Sequence, residues 1–200
     1  MNKVQREQKL RESLVKIRSD FAKMKDLLNP GLALGGKAVD ARVYLERQIG
    51  KYLKPLTNAQ FCTKVDTLMT ALQSPPLLNV AGNLGAVSYT KPNWDTEGDG
   101  PEHVSWKLQA GGGWAEHGKM GGLKIRINEK AFWMFPDITL RGVMVHEATH
   151  FALDTDDTYY STFTRNSVMK ALDNGSENAD NWRIFYQKMS EYFARGVMEA

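Results

Sequence analysis

Two histidines stand four residues apart, with a glutamate directly after the first: His146-Glu147-Ala148-Thr149-His150. This H-E-x-x-H spacing constrains the local fold strongly. On a helix, positions i and i+4 stack on one face, so both imidazoles reach a single ion. Glu147 then points toward the ion's open side, where a carboxylate can take a proton from water. The flanks suit a helix. Leu140, Val143 and Val145 precede the motif, Phe151 and Leu153 follow it, and no Pro or Gly occurs between Gly142 and Leu153. The plain alternative is a buried helix whose histidines only form hydrogen bonds. With only 4 His in 200 residues, the spacing rarely arises by chance.

The rest of the chain sets bounds on that reading. Two hundred residues suit one domain with a real core. No apolar run is long enough for a transmembrane helix, so no membrane insertion is expected. The N-terminal residues are polar and lack the apolar core of a signal peptide. Cys62 is the single cysteine, which excludes an internal disulfide and fits synthesis in a reducing cytoplasm. Export by a specialised secretion route is compatible with both. Residues 1–75 carry 14 Lys and Arg against 7 Asp and Glu, whereas residues 76–200 carry 12 against 16. The basic charges are mixed with acidic ones along amphipathic helices, and no zinc-finger, RNP or basic-zipper pattern accompanies them. Nucleic acid is therefore not an expected partner.

Apolar spacing predicts three N-terminal helices. Leu10, Leu14, Ile17, Phe21, Met24 and Leu28 mark a helix over 4–28, ended by Asn29-Pro30-Gly31. Val39, Val43, Leu45, Ile49 and Leu53 mark one over 38–53, broken by Pro55. Phe61, Val65, Leu68 and Leu72 mark one over 58–72. None carries a cluster of catalytic residue types. Residues 84–121 read as short strands and loops, with Trp94, Trp106 and Trp114 and a turning segment, Gly111-Gly112-Gly113. His103 and His117 lie there without ligand spacing. Residues 123–128 alternate strictly and predict a half-buried strand that could pair with an extended peptide. Asp137 or Thr139 is placed to cap the motif helix.

A catalytic zinc needs a third protein ligand. Asp154 shares the helical face of His150 but lies about 6 Å further along the axis. Asp156 and Asp157 follow in a segment rich in turn formers that can bring the chain back. Spacing does not separate these two, and Glu177 is a more distant alternative.

His146-Glu147-x-x-His150-Phe151 followed by Thr155-x-Asp157-x-x-Tyr160 resembles the aspzincin signature of the deuterolysin and peptidyl-lysine metalloendopeptidase family. Asn178-Ala179-Asp180-Asn181-Trp182 resembles that family's N-A-D-N helix, and the likeness covers roughly residues 123–186. The resemblance implies one catalytic Zn2+ held by His146, His150 and Asp157. It implies Glu147 as general base and Tyr160 as hydroxyl donor to the oxyanion. Asp180 is implied as a substrate-binding residue, with Arg183 where lysine-specific relatives have an acidic residue. A cation there weakens attraction for lysine or pairs with Asp180. Asp180 can equally orient a metal histidine from behind. The signature's two glycines are replaced by Asp154 and Ser161.

The expected architecture is α+β: a zincin-like metallopeptidase fold with an N-terminal helical subdomain over 1–76 and a catalytic domain over 77–200, forming one compact unit. The expected cleft lies between the motif helix, the strand at 123–128 and the helix bearing Asp180. The expected activity is zinc-dependent endopeptidase action on a protein or peptide, with no oligomeric state implied. Alternatives are a protease effector or toxin with a single target, and a zinc-binding interaction protein without turnover. The presence of both Glu147 and Tyr160 argues against the last.

Overall fold

The three N-terminal helices form where their apolar spacing puts them. In the computed structural model, which describes residues 3–73, 88–90, 113–114, 126–128, 135–156 and 173–195, α1 spans Lys3–Leu28, α2 Gly36–Tyr52 and α3 Asn58–Gln73. Leu10, Leu14, Ile17, Phe21 and Met24 of α1 are buried, as are Phe61, Val65, Leu68 and Leu72 of α3. Helix α2 differs from expectation. It buries Ala41, Leu45, Gln48, Ile49 and Tyr52, while Val39 and Val43 are 45% and 50% exposed. The helix turns its Ala41–Leu45–Ile49 edge inward, with Ala38 packed against the core, and Val39 and Val43 lie off that edge.

The motif lies on α4, Asp137–Leu153, and Asp180 on α5, Ala179–Ala194. Helix α4 is buried on every side from Gly142 to His150, as befits a helix at the centre of a domain. It packs most extensively on α5 and also meets α1 and α3. Phe61 of α3 stacks on Trp182 with ring centroids 6.0 Å apart and meets Phe185 edge-on at 5.4 Å. Each such buried side chain contributes about 1.5–3 kcal/mol. Helices from before and after residue 76 share one hydrophobic cluster. No helix among the described residues is long and apolar enough to cross a membrane.

The α+β expectation is corrected. The described residues form a helical assembly, with five helices of 16 to 26 residues. Against these stand strands of only two or three residues: β1 (Ser88–Thr90), β2 (Gly113–Trp114) and β3 (Arg126–Asn128). Strands this short cannot supply a sheet layer on which helices pack. The expected strand at 123–128 is represented by β3, and it is central: it pairs with β1 in parallel and with β2 antiparallel. Both edges are occupied at Arg126 and Ile127, so these two residues have no free edge for an extended peptide; residues 123–125 lie outside the described residues.

The capping expectation is corrected as well. Pro136 occupies the N-cap of α4, with no side-chain cap, and its carbonyl accepts from the Thr139 and Leu140 amides. Asp137 instead stands in the first turn, where the helix dipole favours a carboxylate. It pairs with Lys9 of α1 at 2.7 Å. The hydrogen bond from Lys9 holds its carboxyl below the usual range.

Candidate metal centre

Helix α4 brings His146 and His150 onto one face with their Nε2 atoms 3.1 Å apart. The rings stand nearly perpendicular, at 86°. Both are buried, and so is Glu147. The three side chains offer ligand atoms that all lie within 4.8 Å of one another.

Each ring has a polar neighbour behind it. Nδ1 of His150 lies 2.5 Å from the Thr155 carbonyl oxygen. A carbonyl only accepts, so Nδ1 must carry the proton, and Nε2 presents a lone pair. Nδ1 of His146 faces the buried Asp180 carboxylate, with Oδ1 at 3.9 Å. That neighbour again favours a proton on Nδ1 and a lone pair on Nε2. Two lone pairs facing each other at 3.1 Å repel unless a cation sits between them. Two nitrogens on a tetrahedral zinc, each about 2.0–2.1 Å from it, stand about 3.3 Å apart. The donor set is compatible with zinc.

The turn after α4 explains how Thr155 comes to lie there. Asp154 ends the helix in the left-handed region at φ 54°, a conformation that glycine adopts most easily and Asp tolerates. The chain then folds back. The Thr155 hydroxyl donates to Thr149 Oγ1 at 3.0 Å, and the Thr149 hydroxyl donates to the His146 carbonyl at 2.7 Å. One residue later, the Asp156 amide donates to the Glu177 carbonyl and the Ala179 amide to the Asp156 carbonyl. The end of the motif helix is thereby tied to the start of α5.

The N-A-D-N-W segment has local structural work. Asn178 caps α5, its side chain accepting from the Asp180 amide. Asn181 Nδ2 donates to the Gly175 carbonyl at 2.7 Å, and Trp182 Nε1 donates to the Ser176 carbonyl at 2.9 Å. These bonds hold the preceding 3-10 turn, Gly175–Glu177, against the helix. Asp180 is left facing His146, and Arg183 one turn on is hydrogen-bonded to it through Nε.

The structure therefore brings His146, Glu147, His150, Asp180 and Arg183 together. Asp157 and Tyr160 lie outside the described residues, as do His103, His117, Trp94, Trp106 and the Gly111-Gly112 part of the turning segment. Asp154 and Asp156 are exposed and stand outside the histidine cluster. Glu177 is exposed and lies 3.8 Å from Lys64, so it is not part of the centre either. Thr149, Thr155 and Gln187 had no assigned role in the sequence. Their parts depend on the chain turning back at Asp154 and on α5 lying along α4, and neither leaves a periodic signal.

Neither a protein-family profile nor a curated protein matches the chain. A solved structure does: a zinc peptidase from Grifola frondosa, at 14% identity and a TM-score of 0.51. The match covers 94% of this chain and 97% of that one. At that identity the likeness concerns the fold. The chain thus shares its overall fold with a zinc peptidase and carries, on its central helix, a three-residue group able to hold a metal ion.

Proposed function

We propose that this chain is a zinc-dependent endopeptidase of the aspzincin type. The observation that carries the reading is the pair of buried histidines, Nε2 atoms 3.1 Å apart, with Glu147 beside them. The shared fold with a zinc peptidase supports it. His146, His150 and Asp157 would hold the ion. Bound zinc would polarise the scissile carbonyl and make water a better nucleophile. Glu147 takes the proton of the attacking water and delivers it to the leaving amine. The Tyr160 hydroxyl donates to the oxygen on which negative charge develops. Burial of Glu147 and both imidazoles keeps bulk water from screening these interactions. Peptides or unfolded proteins are the proposed substrates. Asp180 and Arg183 are engaged with each other, so lysine preference is no part of the reading.

The test is cleavage-site mapping on an unfolded protein mixture with zinc-loaded wild type and with Glu147→Ala. New N-termini should appear with wild type and fall by at least ~100-fold in rate with the variant, as loss of a general base implies. Zinc bound by both proteins with cleavage by neither would overturn general endopeptidase action and leave a single-target effector or a silent zinc binder.

A further inference from the structure

Asp180, Arg183 and Gln187 follow one another at helical spacing along one face of α5. Gly142 and His146 follow one another four residues apart on α4. The two rows meet. At one end, Asp180 Oδ1 stands 3.9 Å from His146 Nδ1. Arg183 Nε donates to that same Oδ1, and its Nη1 reaches Gln187 Oε1 at 3.4 Å. At the other end, Gln187 lies so close over Gly142 that a Cβ there would come within 2.6 Å of its Nε2.

We infer that Arg183 is a positioning residue for the metal centre: it fixes the Asp180 carboxylate behind His146, and Gln187, lying over Gly142, steadies Arg183. The inference rests on the zinc reading above and adds a role for Arg183, Gln187 and Gly142. Its physical basis is desolvation. Asp180 is only 2% exposed, and a buried carboxylate with no cationic partner is costly and has no fixed rotamer. The guanidinium provides both the charge and the direction, with one nitrogen on Asp180 and another on Gln187. His146 then faces a negative charge at a defined place, 3.9 Å from its Nδ1, which favours a proton on that nitrogen before any ion arrives. His150 is instead hydrogen-bonded to the neutral Thr155 carbonyl, so the two imidazoles have neighbours of different charge behind them. Gly142 has a packing reason: a helix interior otherwise favours Ala over Gly, but any side chain here would displace Gln187.

The test measures zinc affinity directly, by competition with a chromophoric chelator, alongside the absorption spectrum of the cobalt-substituted protein and the melting temperature of the zinc-free protein. Arg183→Ala should bind zinc ~10- to 100-fold more weakly, the usual consequence of removing a group that orients a ligand histidine. Its cobalt spectrum should change. Arg183→Lys should recover part of the affinity, since charge returns without the fork. Gly142→Ala should weaken binding by several-fold while the zinc-free melting temperature holds or rises, a combination that general damage to the fold cannot produce. Wild-type affinity in Arg183→Ala, with an unchanged cobalt spectrum, would overturn the inference and leave the zinc reading intact. Failure of wild type itself to take up zinc would overturn both.

Discussion

Tyr186 shows how much a single side chain depends on its surroundings. Burial, followed by the negative charge of Asp20, pushes its phenol far above the ordinary range. An unfolded tyrosine ionises near pH 10. Above that pH the folded protein retains a proton that the unfolded chain loses. The stability contribution is therefore complete below about pH 10 and declines as pH rises toward the folded value, by up to ~1.4 kcal/mol per pH unit. Urea midpoints measured between pH 9 and 11 should fall for wild type. Tyr186→Phe should be less stable throughout, having lost its bond to Asp20, but its profile should be flatter over that interval. Equal slopes in both proteins would assign the alkaline sensitivity elsewhere. The histidines present the opposite balance of information. Their identity and spacing were plain in the sequence, and the i, i+4 geometry of a helix made their meeting unavoidable. What holds each imidazole from behind was not: Thr155 reaches His150 only because Asp154 adopts a left-handed conformation.

Among the elements, the three N-terminal helices are legible to within one or two residues at their ends, because each bears apolar residues at three- and four-residue spacing. Pro30 and Pro55 marked where two of them stop. The face of α2 departs from expectation, because Val39 and Val43 are apolar but lie off the buried edge; an apolar residue at helical spacing does not by itself say which face the neighbouring helices cover. The expected sheet layer was misread for a related reason. Alternation over 123–128 identifies a strand, but a strand makes a layer only if long partners lie beside it. The turn before α5 offers a test at this scale. Gly175 has φ 53°, and a Cβ there would fall 1.7 Å from the Lys54 carbonyl oxygen, which accepts from the Ser176 amide at 3.2 Å. Gly175→Ala should destabilise the protein by more than ~2 kcal/mol, through backbone strain and a clash that no rotamer relieves. Chemical denaturation would show this, and a change below ~0.5 kcal/mol would mean that the turn can open without cost.

At the scale of the molecule, α1 and α5 are joined through a buried acid. Asp20 is fully buried and accepts from Tyr186 Oη at 3.1 Å and from Ser190 Oγ at 3.0 Å, while Lys16 of its own helix pairs with its other oxygen. Asp20→Ala would leave two hydroxyls without their acceptor in the interior and should cost about 2–4 kcal/mol. Since α5 carries Asp180, the loss should be accompanied by weaker zinc binding, measurable in the same titrations. Unchanged stability would mean that α5 is held by its apolar face alone. The sequence by itself determined the three N-terminal helices, the apolar faces of α1 and α3, and the trio His146, Glu147 and His150, because all of these follow from the fixed rise and turn of a helix. Only the tertiary structure decided that the assembly is helical, that Asp20 is an interior contact and not a solvated charge, and that the Asp180–Arg183 pair, one of the alternatives open in the sequence, stands behind His146. Those outcomes depend on groups up to 170 residues apart in sequence, and such distances are set by packing, on which local periodicity carries no information.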